Sequence, residues 1–481
     1  MVRATPTGRK AAGRPVGRER LGLPQPRNSP TQSGSHEPHP PVKISSSEKA
    51  LYDLLFGIEA EVVEAARDLK ILGTMGWPRT ALDSFLESWR AGNPRIPAVE
   101  LTPPPELDAL IERMKSCMQR TPRDHPLGDF IWKTAWSYST AAYMLNSMGT
   151  PDFTERSVEL YGRPDIRWEN QKFTDLSAAE FMLRTSADLQ ECAVISDVEA
   201  TEPAESLAAR LRARVDPLFV DDPIDVVVAE ELASKAAASS RRVRVRADAL
   251  FSELDLDQLF QHEVMVHAAT MLNGERQPHL DLLSLASPRT TRTQEGLATL
   301  AEMETNSMDL ERLRRIALRV RAVSLALAGA DFIDIFRMFL DEGQSEEESA
   351  QSAMRIFRGG DPEGGGVCFT KDGVYIGGLL EVHTFLRTAV RDSRPDLINI
   401  LFSGRLTLAD TIGLAPLFEE GLLVGPRYIP TWAADLRRLT ANLTFSAFLG
   451  KIDLGQVELS QVLDKEAAAI EESPAEADAE E

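Results

Sequence analysis

From Ser47 onward the chain carries apolar residues at Leu51, Leu54, Leu55, Ile58, Val62 and Ala65, three or four positions apart, with Ser45 to Ser47 ahead of them as N-caps. That period predicts an amphipathic helix with one buried face. Comparable patterns run over Thr80 to Ala91, Pro105 to Gln119, Phe130 to Met148 and Ala178 to Ala193, so the first half reads as a helical layer. After Asp216 the pattern changes. Ile224 to Val228 is short, β-branched and bounded by Pro223, and Arg242 to Arg246 alternates Arg with Val. Both read as strands, the second burying Val243 and Val245 while its arginines stay in water. Helical spacing returns over Leu256 to Leu272, Glu295 to Glu304 and Leu310 to Leu340, with Gly329 marking a break in the last. Between Gly359 and Gly378 the glycines predict a loop, a short strand within Phe369 to Ile376 and a turn, followed by a helix through Leu379, Val382, Phe385 and Leu386.

The two ends lack such periodicity. Residues 1–45 are basic and Pro-rich and read as a disordered extension, and residues 464–481 are Ala and Glu and read as a disordered acidic tail. Between them the pattern divides into a mainly helical region, 46–215, and a region of mixed elements, 216–463. The glycine-rich stretch lacks the Gly-x-x-x-x-Gly-Lys-[Ser/Thr] of a phosphate-binding loop.

Composition narrows the class. The chain has 481 residues, 43% of them hydrophobic, which suffices for a sizeable core. Its formal charge of −21 and pI near 4.9 argue against nucleic acid as a partner. No apolar run approaches the roughly 18 residues of a membrane span, so no membrane partner is expected. Cys117, Cys192 and Cys368 are scattered and odd in number, which suits a reducing, cytoplasmic setting.

The chemistry lies in Gln261-His262-Glu263-Val264-Met265-Val266-His267, two imidazoles flanking a carboxylate within an apolar helix. Zinc accepts neutral imidazole nitrogen, and a hydrolytic zinc site keeps three protein ligands and one water whose proton a nearby carboxylate can take. The spacing is His-Glu-x-x-x-His. On a regular α-helix, residues five apart point about 140° away from each other. A π-type turn, with roughly 4.4 residues per turn, brings them within about 50°, so a π-bulge is predicted between His262 and His267. A third ligand is needed. Glu295, at the start of the next helix, would complete a His2Glu set, with Glu275, His279 and Asp281 as competitors, and a helix-start carboxylate is also favoured by the dipole alone.

Four ordered blocks carry a resemblance: His262 to His267; Asn273-Gly274 with Gln277-Pro278; Gln294-Glu295-Gly296-Leu297-Ala298; and Phe369-Thr370-Lys371-Asp372-Gly373-Val374-Tyr375. Over approximately 224–428 they resemble the bacterial flavohaemoglobin expression-modulating QEGLA-motif proteins and the related microtubule-associated tyrosine carboxypeptidases. The resemblance implies one zinc ion on His262, His267 and Glu295, with Glu263 as general base. It also implies that Lys371, Asp372 and Tyr375 approach the site, where Tyr375 or Lys371 could stabilise an oxyanion. The tubulin enzymes carry an Arg shortly after the second His, where this chain has Ala268, Ala269, Thr270 and Met271. Lys235, Arg276, Arg289, Arg292 and Lys371 are the candidates to replace it as partner of a substrate carboxylate.

The expectation is therefore an α+β, predominantly α-helical protein with a small sheet next to a zinc-binding active-site helix. Its function would be that of a zinc metallopeptidase of carboxypeptidase type acting on a peptide or protein C-terminus. A regulatory protein with a retained structural zinc is the alternative, and a fourth protein ligand such as His279 or His383 would mark it.

Overall fold

Leu51, Leu55, Ile58 and Val62 do lie on one face of a helix, Ser46–Ala66, and Leu55, Ile58 and Val62 are buried. The computed structural model describes residues 46–449, except 68, 170, 193–199, 231 and 233; the basic extension and the acidic tail lie outside the described residues. Helices Arg79–Arg90, Leu107–Arg120, Pro126–Asn146 and Asp175–Cys192 follow at the expected places. Pro151–Tyr161 and Ala204–Val215 are further helices that the pattern did not single out. Their apolar faces do not pack only on one another. One core joins Leu55, Ile58, Phe130 and Ile131 to Leu297, Leu300, Leu386 and Phe402 from the second half of the chain.

The sheet has three strands, with Arg242–Arg246 in the centre, parallel to Asp225–Ala229 and antiparallel to Ala236–Ser239. Val243 and Val245 are fully buried while Arg242 and Arg244 are exposed, as the alternation predicts; Arg246 departs from it, its side chain only 15% exposed, paired with Asp248 and donating to Gln351. The third strand is an Ala-rich run with no β-branched residue, which explains why periodicity missed it. A separate two-stranded pairing joins Glu202–Pro203 to Leu250–Phe251. The three-stranded sheet packs against the helical segment that carries His262 and His267.

Of two further apolar runs, one resolves as its pattern predicts and one does not. Leu310 to Leu340 forms two helices, Leu310–Leu327 and Phe332–Asp341, broken at Gly329, whose φ of 109° favours glycine, and restarted by the Asp331 capping box. The expected strand within Phe369 to Ile376 is absent. Thr370–Gly373 is a 3₁₀ turn and Val374 already begins the helix Val374–Arg391. Packing overrides the β-propensity of Val374-Tyr375-Ile376: this helix crosses Thr291–Glu304 so closely that a Cβ on Gly296 would lie 2.2 Å from the backbone of Gly378. Among the described residues no helix is long and apolar enough to cross a membrane.

Candidate metal centre

Ser252 opens the critical helix with a capping box, its hydroxyl accepting from Asp255 N while the Asp255 carboxylate accepts from Ser252 N. After Leu259 the backbone widens into a π-helix over Phe260–Ala268, then returns to α-helix over Ala269–Glu275. The bulge predicted between the two histidines is therefore present, and it extends beyond them at both ends. Thr270 holds its far end, with its hydroxyl 2.7 Å from the Val266 carbonyl and 3.1 Å from Gln294 Oε1 on the neighbouring helix.

The widened turn brings the imidazoles of His262 and His267 onto one side, with ring centroids 4.8 Å apart and planes at 89°. Glu295 meets them from the Thr291–Glu304 helix, its Oε2 3.6 Å from His262 Nε2 and 3.8 Å from His267 Nε2. One donor atom from each of the three lies within 4.8 Å of the others. The competing ligands point elsewhere. Glu275 pairs with Arg241, Asp281 with Arg67, and the His279 ring packs on Phe56. His383 contacts Ser446, so neither suggested fourth ligand joins the group.

The partners of each donor define its chemistry. His262 Nδ1 lies 2.6 Å from Glu302 Oε1, and Glu302 is itself held by Arg312 at 3.0 and 3.1 Å and by Gln258 at 3.1 Å. Burial disfavours charge on His262, but its bonds to Glu295 and Glu302 outweigh burial and raise its pKa to about 10. Burial would likewise raise Glu302, yet Arg312 and His262 hold it down at about 2. Glu295 Oε1 receives Lys371 Nζ at 3.0 Å; against the effect of burial, that ammonium and the two histidines keep Glu295 ionised far below the usual carboxylate range. His267 is pushed down, chiefly by burial.

This donor set fits zinc: two imidazoles and one carboxylate, with a carboxylate behind His262 to fix its tautomer. One contact must yield. Arg405 Nη1 stands 3.3 Å from His267 Nδ1, and a guanidinium only donates, so Nδ1 accepts and the His267 proton sits on Nε2. Holding a metal through Nε2 moves that proton to Nδ1 at the expense of this long contact.

Around the donors opens a cavity of about 610 Å³, lined by His262, Glu263, His267, Glu295, Lys371 and Tyr375. Asp372, also expected to approach the site, lines the same cavity. Of the cations proposed for a substrate carboxylate, Lys235 and Lys371 line the cavity. Arg276 pairs instead with Asp222, Arg289 with Asp410, and Arg292 with Asp175 and Glu381. Arg312, Arg319, Arg355, Arg358 and Arg405, with Tyr138 and Tyr161, line it without having been anticipated. Only Glu302 left a sequence signal, lying seven residues after Glu295 and so on the same helix face.

The other shared blocks are architectural. Asn273 spends its amide on the C-terminal segment, donating to Phe402 O and Tyr428 O and accepting from Arg427 N and Tyr428 N. Gln277 similarly bonds Ser403 O and both backbone groups of Val424.

The protein is predominantly helical, and a π-helix and a neighbouring glutamate bring two imidazoles and a carboxylate that could hold a metal ion to the wall of one cavity. The family model described as microtubule-associated tyrosine carboxypeptidase matches residues 84–451. The chain belongs to that family, whose members are carboxypeptidase-type hydrolases acting on protein or peptide substrates. No curated protein matches the chain.

Proposed function

We propose that the chain is a zinc-dependent carboxypeptidase of the bacterial QEGLA-motif branch, with one zinc ion on His262, His267 and Glu295 and with Glu263 as general base. The observation that supports it most is the convergence of the three donors across a π-helix whose second residue after entry, His262, is followed directly by Glu263 on the cavity wall. Zinc, when bound, supplies Lewis-acid activation of water and of the scissile carbonyl. The Glu263 carboxylate takes a proton from the attacking water and returns it to the departing amine nitrogen. Tyr375 is buried, and its hydroxyl has no protein partner among the described residues, so it is free to donate to the developing oxyanion. Lys371 acts through Glu295, whose Oε1 it holds. The free, buried Cys117 and Cys368 suit a reducing compartment such as the cytoplasm.

The test is a set of peptides varied at both termini, offered to purified zinc-loaded protein and to the Glu263→Gln variant. The parent releases C-terminal residues; the variant retains zinc and loses turnover by about a thousandfold or more. Equal turnover by the variant would remove Glu263 from its role.

A further inference from the structure

The cavity around His262 and His267 is walled by basic side chains, although the chain as a whole carries a formal charge of −21. Most of these cations have a carboxylate of their own. Lys371 holds Glu295 at 3.0 Å, Arg312 holds Glu302 at 3.0 Å, Lys235 holds Asp255 at 3.0 Å, and Arg355 grips Asp372 through bonds of 2.6 and 2.8 Å. Arg405 has no carboxylate either and its Nε is likewise buried without an acceptor, but its Nη1 is engaged by His267 Nδ1 at 3.3 Å; Arg315 also lacks a carboxylate among the described residues, but no nitrogen of it is sealed from solvent without an acceptor.

Arg319 and Arg358 differ. Among the described residues neither has a carboxylate partner or a side-chain hydrogen bond, and the Nε of each is sealed from solvent without an acceptor. Arg358 is only 6% exposed. Asp372 is the carboxylate nearest in effect to both, and Arg355 already engages it with both oxygens. Burial pushes both guanidiniums down to about 10, and the neighbouring Arg355 adds to this, so both stay protonated at neutral pH. An uncompensated buried charge is strongly destabilising, and a chain retains two of them side by side when a ligand brings the anion.

Tyr375 links this pair to the metal donors. Its ring lies 5.3 Å from Arg319 Cζ and 5.8 Å from Lys371 Nζ, and Lys371 in turn holds Glu295. A guanidinium fork matches a carboxylate with two parallel bonds, which an ammonium cannot do. We infer that Arg358, with Arg319 beside it, receives the terminal carboxylate of the substrate and so restricts the enzyme to free C-termini. The two guanidiniums come from separate helices, Arg319 from Leu310–Leu327 and Arg358 from the C-terminal end of Glu346–Phe357. This inference rests on the peptidase reading for its substrate, but the subsite can be examined without turnover.

The experiment measures binding of a panel of N-acetyl amino acids, their amides and inorganic phosphate by calorimetry, on the full chain both zinc-loaded and chelated. The free acids bind in both states and the amides do not. Arg358→Met weakens binding at least about tenfold, Arg319→Met acts in the same direction, and Arg358→Lys falls between parent and Met variant. Arg358→Met also raises Tm, by at least about 2 °C, because it removes a buried charge without a partner; a residue serving only structure would lower it. Unchanged binding in Arg358→Met, amides binding as well as acids, or phosphate binding more tightly than the acids would each overturn the subsite. Peptide cleavage that ignores C-terminal amidation overturns it while leaving the hydrolase intact. Carboxylate binding without any cleavage upholds it and sinks the hydrolase reading instead.

Discussion

His262 Nδ1 and Glu302 Oε1 lie 2.6 Å apart in the protein interior, where Glu302 is fully buried. The contact decides which imidazole nitrogen is available. With Nδ1–H donating to Glu302, Nε2 is the nitrogen that faces Glu295 and His267, and its proton must leave before that nitrogen can hold a metal. Glu302 is thus a positioning residue for the candidate metal centre, and Arg312 positions Glu302.

Replacing Glu302 with Gln keeps an acceptor but removes the charge that orients His262 and compensates Arg312. Zinc affinity is expected to fall about 10- to 100-fold. Competition with a chromogenic chelator measures it, and an unchanged affinity would show that His262 is oriented by its packing alone.

Metal removal has its own signature. If His262, His267 and Glu295 bind zinc in the folded protein only, zinc at a thousand times its dissociation constant adds about 4 kcal/mol of stability. Thermal melts with zinc and with chelator should separate accordingly, and His267→Ala should abolish the separation. Equal melts for the parent would refute a zinc site.

Gly296 places Glu295 by allowing its helix to touch Gly378. A Cβ there would stand 2.2 Å from the Gly378 carbonyl carbon and oxygen, so Gly296→Ala must push the helices apart. A loss of at least about 1–3 kcal/mol is expected, along with weaker zinc binding as Glu295 recedes from the histidines. Gly57→Ala is the control. No atom lies within 4 Å of its added Cβ, and in mid-helix it should gain about 0.5–1 kcal/mol. Chemical denaturation of the two variants checks both signs, and similar gains in both would mean that helix propensity, not the crossing, decides.

How much of this was legible beforehand follows from the distance over which each signal acts. The π-helix was readable because the contradiction lay within six residues: His262 and His267 can share an ion only if the helix widens. Glu295 was readable once the four blocks were taken together. Val374 to Ile376 misled because their helix is dictated by the contact of Gly378 with Gly296, 82 positions earlier in the chain, which no local window shows. Arg319 and Arg358 look like any other arginines on amphipathic helices. What distinguishes them is the lack of a partner, and pairing is settled only by the packed structure. The same holds for Arg276, Arg289 and Arg292, each of which is consumed by a carboxylate distant in sequence.

Glu59 gives the fold a pH dependence of its own, remote from the metal donors. It is buried on the first helix, and its Oε1 accepts from Leu282 N at 2.7 Å. Burial raises its pKa from 4.5 to about 7, with the Leu282 bond opposing the rise and Asp281 adding to it. Between those two values the folded protein holds a proton that the unfolded chain has released. Stability from this group is therefore fully present below about pH 4.5 and is lost as pH rises through about 7. The shift corresponds to about 3 kcal/mol. Glu59→Gln keeps the acceptor for Leu282 and removes the titration, so the variant should match the parent near pH 4 and exceed it by about 3 kcal/mol at pH 8. Urea denaturation at the two pH values measures the difference. A variant no more stable than the parent at pH 8 would place the Glu59 pKa near that of an ordinary carboxylate.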